Sequence, residues 1–254
     1  MRHIVLVLVF LVLTVLAVPV LGFCALFGLR DEFLGGGAWM MRVGRRILGI
    51  DVEAAGLERL DRRIPYVFMS NHLSFLDGPL LLTVIDRPVR FIVKRFVFHI
   101  PVLGLGMRFA GYVPVDREGV GEGRRRIALA AGLIKEKGYS FLVFPEGTRS
   151  WDGSLQRLRR GGFFLALEAG APIVPVSIQG TYELMPRVNW RIRRGRVRIV
   201  FHDPIAAAGY EPGTMTALIE RVRAAIASGL ARSDVALPVP CARPPLGDQP
   251  PPSD

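Results

Sequence analysis

Cysteine is scarce. The two cysteines in 254 residues, Cys24 in the apolar N-terminus and Cys241 in a proline-rich tail, leave no material for a disulfide framework. Histidine is nearly as rare, and the four, at positions 3, 72, 99 and 202, form no zinc-like cluster with cysteines or carboxylates. No Gly-x-Ser-x-Gly turn is present, so a serine nucleophile of the hydrolase kind is excluded. Helix-turn-helix, zinc-finger and aromatic RNA-binding signatures are missing as well, which leaves nucleic acid without a reader. There is no internal repeat. Acidic residues are outnumbered 22 to 33 by lysine and arginine, giving a formal net charge of +11.

What the chain does have is apolar surface and arginine. Half of its residues are hydrophobic and its mean hydropathy is +0.34, high for a soluble protein. A basic, apolar chain suits an anionic lipid surface or a phosphorylated substrate. The run from Ile4 to Leu29 is almost wholly apolar. As one helix it would extend roughly 39 Å, enough for a bilayer core of about 30 Å. Pro19 and Gly22 would kink or split it, so a transmembrane helix, a hairpin-like monotopic anchor and a signal peptide all compete. The length of the run and the lack of a small-x-small cleavage site disfavour the signal peptide. If the segment spans, the arginines at 42, 45, 46, 59, 62 and 63 outweigh Arg2 and place the bulk of the chain in the cytoplasm. From Phe33 to Ile50, Trp39, Met40 and Met41 mix with Arg42, Arg45 and Arg46, the pattern of an interfacial helix.

The most informative stretch is Ser70-Asn71-His72-Leu73-Ser74-Phe75-Leu76-Asp77. The apolar run from Ile64 to Met69 before it predicts a buried strand, and Leu80 to Ile85 after it a helix. His72 and Asp77 would lie about 140° apart on one continuous helix and could not meet. They meet if His72 sits on the turn and Asp77 near the helix start. An aspartate beside a histidine fixes the imidazole tautomer and stabilises the imidazolium, which makes a general-base pair. With no protein nucleophile at hand, the attacking hydroxyl would belong to the substrate. An ordinary N-cap at Asp77 and a satisfied turn histidine at 72 are the plain alternatives.

Further strands are predicted over 88–93, 111–117, 140–144, 173–178 and 197–201, and helices over 124–137, 161–170 and 215–230. The segment 96–107, broken by Pro101, Gly104 and Gly106, reads as core or as the lining of an acyl groove. The strand ending at Phe144 runs into Pro145-Glu146-Gly147-Thr148-Arg149-Ser150. Here glycine permits close backbone approach, free amides can form a nest and an arginine fork can grip phosphate. An oxyanion or phosphate site follows. The arginines between Met185 and Arg198 make a basic patch facing either a membrane or solvent.

Three stretches in order, His72-x4-Asp77, Phe144-Pro145-Glu146-Gly147-Thr148-Arg149 and Val174-Pro175-Val176, resemble the blocks of the glycerolipid acyltransferase family. The likeness is closest to the 1-acylglycerol-3-phosphate (lysophosphatidic acid) acyltransferases. Lys94-x6-Pro101-x2-Gly104 and Val115-Asp116-Arg117 resemble a further block between the first two. The family's usual Lys-Lys-Gly is here Arg159-Arg160-Gly161, which keeps the charge.

The resemblance implies acyl transfer from acyl-CoA or acyl-carrier protein to the sn-2 hydroxyl of lysophosphatidate, giving phosphatidate. It implies His72 as general base, oriented by Asp77, and Lys94, Arg117 and Arg149 as holders of the acceptor's phosphate. Glu146, with Gly147 and Thr148, would shape that site by bonding the glycerol hydroxyl or positioning an arginine. Backbone amides near Pro175 and Val176 are a candidate oxyanion hole. No metal and no organic prosthetic group is implied, because the thioester already activates the acyl group. The expected architecture is α/β, a mixed, mostly parallel sheet flanked by helices. It comprises a membrane anchor and interfacial helix over 1–50, an acyltransferase domain over 51–234 and a disordered tail over 235–254. The expected partners are lysophosphatidate, the acyl thioester and membrane lipids, at the cytoplasmic face of a membrane, the inner membrane if the source is bacterial. Another lyso-lipid acceptor, such as a lyso-ornithine lipid, and a non-catalytic lipid-binding protein are the rival functions.

Overall fold

The strand Val67 to Ser70 is buried at every position and lies at the centre of the sheet. In a computed structural model the described residues are 12, 15, 18–100, 102–115, 120–188 and 191–231. The seven strands are β1 (Ile50–Ala55), β2 (Val67–Ser70), β3 (Val89–Lys94), β4 (Val113–Val115), β5 (Ser140–Val143), β6 (Ile173–Gln179) and β7 (Gly195–Phe201). They form one sheet in the order β1-β7-β6-β2-β5-β3-β4. All pairings are parallel except that of β6 with β7. The expected mixed, mostly parallel α/β sheet is therefore present.

From residue 30 onward the α-helices among the described residues are α1 (Arg30–Leu48), α2 (Asp77–Val84), α3 (Leu103–Ala110), α4 (Val120–Lys137), α5 (Gly161–Ala169), the single turn α6 (Thr181–Leu184) and α7 (Met215–Ala231). Parallel neighbours need crossovers, and α2 to α5 supply them between β2 and β6. Strand alternation splits the core in two. Phe68 packs on one face with Leu80, Leu81 and Phe201, and Val67 and Met69 pack on the other with Ile134, Phe163 and Val222. Burial on both faces is why β2 reads as a continuous apolar run.

Two elements differ from the sequence reading. Ile50-Asp51-Val52-Glu53-Ala54-Ala55 is an edge strand with a mostly exposed pattern, so it carries no apolar run to announce it. Helix α3 occupies a stretch whose glycines read as breakers. A Cβ at Gly104 would lie 2.1 Å from the Phe98 carbonyl oxygen, and one at Gly106 would lie 2.9 Å from the Phe33 ring. Those glycines let α3 close onto its neighbours.

Of the expected anchor, Ile4 to Leu29, residues 4–11, 13, 14, 16 and 17 lie outside the described residues. Its second half is helical over 18–27, with Phe23, Leu26 and Phe27 exposed. Among the described residues no helix is long and apolar enough to cross a membrane. The stretch 33–50, expected as an interfacial helix, is helical to Leu48 as part of α1. Arg90 of β3, fully buried, joins it to the sheet through Asp31, while also bonding the Ala110 carbonyl and lying 3.3 Å over the Tyr139 ring. The proline-rich tail lies outside the described residues.

Candidate active site

Strands β2, β3, β5 and β6 run the same way, so their carboxyl ends share one edge of the sheet, where open α/β folds place ligands. His72 follows β2 there, Lys94 ends β3, the loop from Pro145 follows β5 and Arg187 comes after β6.

The turn after β2 is built around one carboxylate oxygen. Asp77 Oδ2 accepts from His72 Nδ1 at 2.8 Å, from the Leu73 amide at 2.6 Å and from the Ser74 amide at 2.8 Å. Asp77 is wholly buried and its Oδ1 has no partner among the described residues. Asp77 is thus the first residue of α2 without capping it, because the amides it binds belong to the preceding turn. With Nδ1 held, His72 has Nε2 on the far side of its ring, and its side chain is 20 % exposed. The ring stacks on Phe144, with centroids 4.1 Å apart and planes 17° from parallel.

The peptide units around His72 are fixed from three sides. Asn71, fully buried, bonds both the amide and the carbonyl of Ile178, at 2.8 and 2.9 Å, and so extends the β2–β6 pairing by a side chain. Ser74 Oγ donates to the Met185 carbonyl at 2.7 Å. The His72 carbonyl accepts from the Ser150 amide at 2.8 Å, and the His72 amide donates to Glu146 Oε1 at 2.8 Å.

Glu146 is buried, and its second oxygen accepts from the Gln156 amide at 3.2 Å. Both oxygens therefore accept from backbone, and the carboxylate joins the turn after β2 to the chain at Gln156. Burial raises the Glu146 pKa above the ordinary glutamate value, and the two amides oppose that shift. Gly147, at φ 71°, turns the chain where a Cβ would press on the Arg159 side chain at 3.0 Å.

Arg149 lies with its guanidinium 3.6 Å over the Phe75 ring, between the two motifs. Burial, and then the nearby Arg187, lower its pKa. Lys94 is exposed at the end of β3. Arg117 lies outside the described residues. Val176 does not supply an oxyanion hole. It is wholly buried inside the sheet, paired with Ser70 on one side and Phe201 on the other, and Pro175 has no amide hydrogen to give. Among the described residues no group of three or more histidine, cysteine, aspartate or glutamate side chains gathers as metal ligands.

Sequence reasoning did not assign Asn71, Phe144 or Arg187 to the site. Asn71 and Phe144 each sit at the end of a predicted strand, where a polar or aromatic side chain turns towards the site. Arg187 carried no separate signal within its basic run.

The arrangement presents an oriented imidazole beside a cationic loop, with an apolar and arginine-rich surround. Residues 51–179 match the family model described as Acyltransferase. The chain is 40 % identical over 155 residues to the chloroplast 1-acyl-sn-glycerol-3-phosphate acyltransferase BAT2 of Brassica napus, covering 60 % of this chain and 44 % of that one. It is 32 % identical over 213 residues to the human 1-acyl-sn-glycerol-3-phosphate acyltransferase alpha, covering 84 % of this chain and 74 % of that one. The chain thus spans less than half the length of the plastid relative and about three quarters of the human one. The crystal structure of the 1-acyl-sn-glycerophosphate acyltransferase PlsC from Thermotoga maritima superposes with a TM-score of 0.73 at 28 % identity, covering 92 % of this chain and 100 % of that one. Sheet order, motif geometry and these matches agree, and the chain belongs to the acyltransferase family.

Proposed function

We propose that this protein transfers a fatty acyl group from acyl-CoA or acyl-carrier protein to the sn-2 hydroxyl of lysophosphatidate, giving phosphatidate at a membrane surface. The observation that carries the reading is the buried Asp77 held 2.8 Å from His72 Nδ1. That bond leaves Nε2 to take a proton.

In this reaction the acceptor hydroxyl gives its proton to His72 Nε2 as its oxygen attacks the thioester carbonyl. Asp77 steadies the resulting imidazolium. The tetrahedral intermediate collapses with loss of the thiolate, which recovers the proton from Nε2. An ester replaces a thioester, and no protein atom is acylated. Stacking on Phe144 and the bonds through Asn71 and Ser150 hold the imidazole ready, so little reorganisation is needed at the moment of attack. Lys94, Arg117 and Arg149 attract the acceptor's phosphate. Glu146, Gly147 and Thr148 shape the loop that presents Arg149. The exposed apolar residues over 18–27 and Trp39, with a net charge of +11, hold the molecule on anionic lipid at the cytoplasmic face.

The test is product identification. Purified protein receives a labelled acyl thioester, on CoA and on acyl-carrier protein in turn, with lysophosphatidate or a zwitterionic lyso-lipid. Mass spectrometry should find phosphatidate acylated at sn-2. Acylation of the zwitterionic lipid in preference would overturn the choice of acceptor.

A further inference from the structure

Arg187 lies beyond the matched stretch, in the chain that leaves β6 through α6. It reaches back to the loop after β5. Its Nη1 donates to Thr148 Oγ1 at 3.0 Å and to the Arg149 carbonyl at 2.9 Å. Its guanidinium lies 3.7 Å over the ring of Trp151, whose carbonyl is held by the Tyr182 hydroxyl at 2.8 Å. One arginine thus fixes the backbone that carries another, and the two cations are close enough for Arg187 to act on Arg149.

This is an uncomfortable pair as it stands. Neither guanidinium has a carboxylate partner among the described residues. Arg149 Nη1 is buried with no hydrogen-bond partner. Among the described residues Arg187 bonds through Nη1 alone. Two like charges held together by packing, with donors to spare, call for a doubly charged anion between them. Asp77, the carboxylate that acts on Arg149, already receives three donors.

We propose that Arg187 is a specificity-determining residue: with Arg149 it forms a two-guanidinium seat that selects a phosphate monoester dianion over a zwitterionic phosphodiester headgroup. The assignment rests on the proposed reaction for the acceptor's identity. A monoester carries close to two negative charges above its second ionisation, near pH 6, whereas a choline phosphodiester carries one and brings an ammonium towards the arginines. The second guanidinium therefore contributes to binding the first headgroup and little to binding the other.

The experiment is equilibrium binding of short-chain lysophosphatidate and of lysophosphatidylcholine with the same chain, each as monomer. Full-length wild type, Arg187→Gln and Arg187→Lys are compared at pH 7.5 and pH 5. The wild type should prefer lysophosphatidate at pH 7.5. The glutamine variant should lose about tenfold or more of that preference, and the lysine variant should recover part of it. The gap between wild type and the glutamine variant should narrow at pH 5, where the phosphate is a monoanion. An unchanged preference ratio overturns the assignment, whether affinities hold or fall together, as does a gap of equal size at both pH values. Phosphatidate formation is read separately. A wild type that prefers lysophosphatidate but makes no phosphatidate contradicts the proposed reaction and not the role of Arg187. One that makes phosphatidate while the variant keeps its preference contradicts the role of Arg187 alone.

Discussion

A histidine becomes a useful base when one ring nitrogen is committed and the other is left to react. Asp77 does this from a position with no exposed surface, and it also gathers the amides of Leu73 and Ser74. Replacing Asp77 with asparagine keeps the size but offers an amide where three donors converge. Acyl transfer should fall by about 10²- to 10⁴-fold in kcat with acceptor binding retained, measured by initial rates at saturating thioester. Glu146 calls for a different prediction. Its folded pKa is raised by burial, so the folded state holds the proton more tightly than the unfolded chain. Its contribution to stability is greatest below the ordinary glutamate pKa and is lost as pH rises through the folded value. Glu146→Gln should flatten that part of the stability–pH curve, read from urea midpoints between pH 4 and 7. It should also lower kcat more than it raises the acceptor KM, since one of the amides of His72 and Gln156 loses its acceptor. At this scale the sequence revealed the His72–Asp77 pair, because spacing and residue type together carry that chemistry. It could not reveal that Glu146 faces two backbone amides, since the same letters suit a carboxylate turned towards substrate.

Elements were legible where burial was one-sided or complete. Strands β2, β5 and β6 announce themselves by apolar runs, and α4 and α7 by helical spacing. The misses have physical causes. β1 is an exposed edge strand stabilised by pairing with β7, a partner distant in sequence. Helix α3 contains glycines that sequence rules treat as breakers, because the rules know their flexibility and not what approaches them. Gly104→Ala tests this directly. Its Cβ would meet the Phe98 carbonyl at 2.1 Å, so the variant should be destabilised by about 1–3 kcal/mol in spite of alanine's better helix propensity. Urea unfolding of the solubilised protein would show it, and a neutral or stabilising result would mean that α3 is not packed there. Arg90 is the other element-level lock. Arg90→Leu should loosen α1 from β3, seen as faster hydrogen exchange in 30–48, because the Ala110 carbonyl and Asp31 lose their donor.

At the scale of the whole molecule, charge and exposed apolar surface act together. The same chain that carries a net charge of +11 exposes Leu26 at 79 % and Phe23, Phe27 and Trp39 at more than half. Binding to vesicles containing anionic lipid should weaken between 0.1 and 0.5 M salt without vanishing, because salt screens the charge and leaves the apolar contribution. Complete loss in high salt would assign the attachment to charge alone. Composition made this surface legible from the start. The arrangement that turns it into a site depended on topology, on parallel strands delivering His72, Lys94, Glu146 and Arg187 to one edge. The proposed chemistry makes His72 the base for a substrate hydroxyl and leaves no protein atom acylated. Its most direct measurement is acyl transfer from a labelled thioester to lysophosphatidate by purified wild type and His72→Ala, with the labelled protein recovered by gel. The wild type should give phosphatidate, the variant at least about 10²-fold less at equal vesicle binding, and neither protein should retain label. Undiminished turnover by His72→Ala, or a labelled acyl-enzyme, would contradict it.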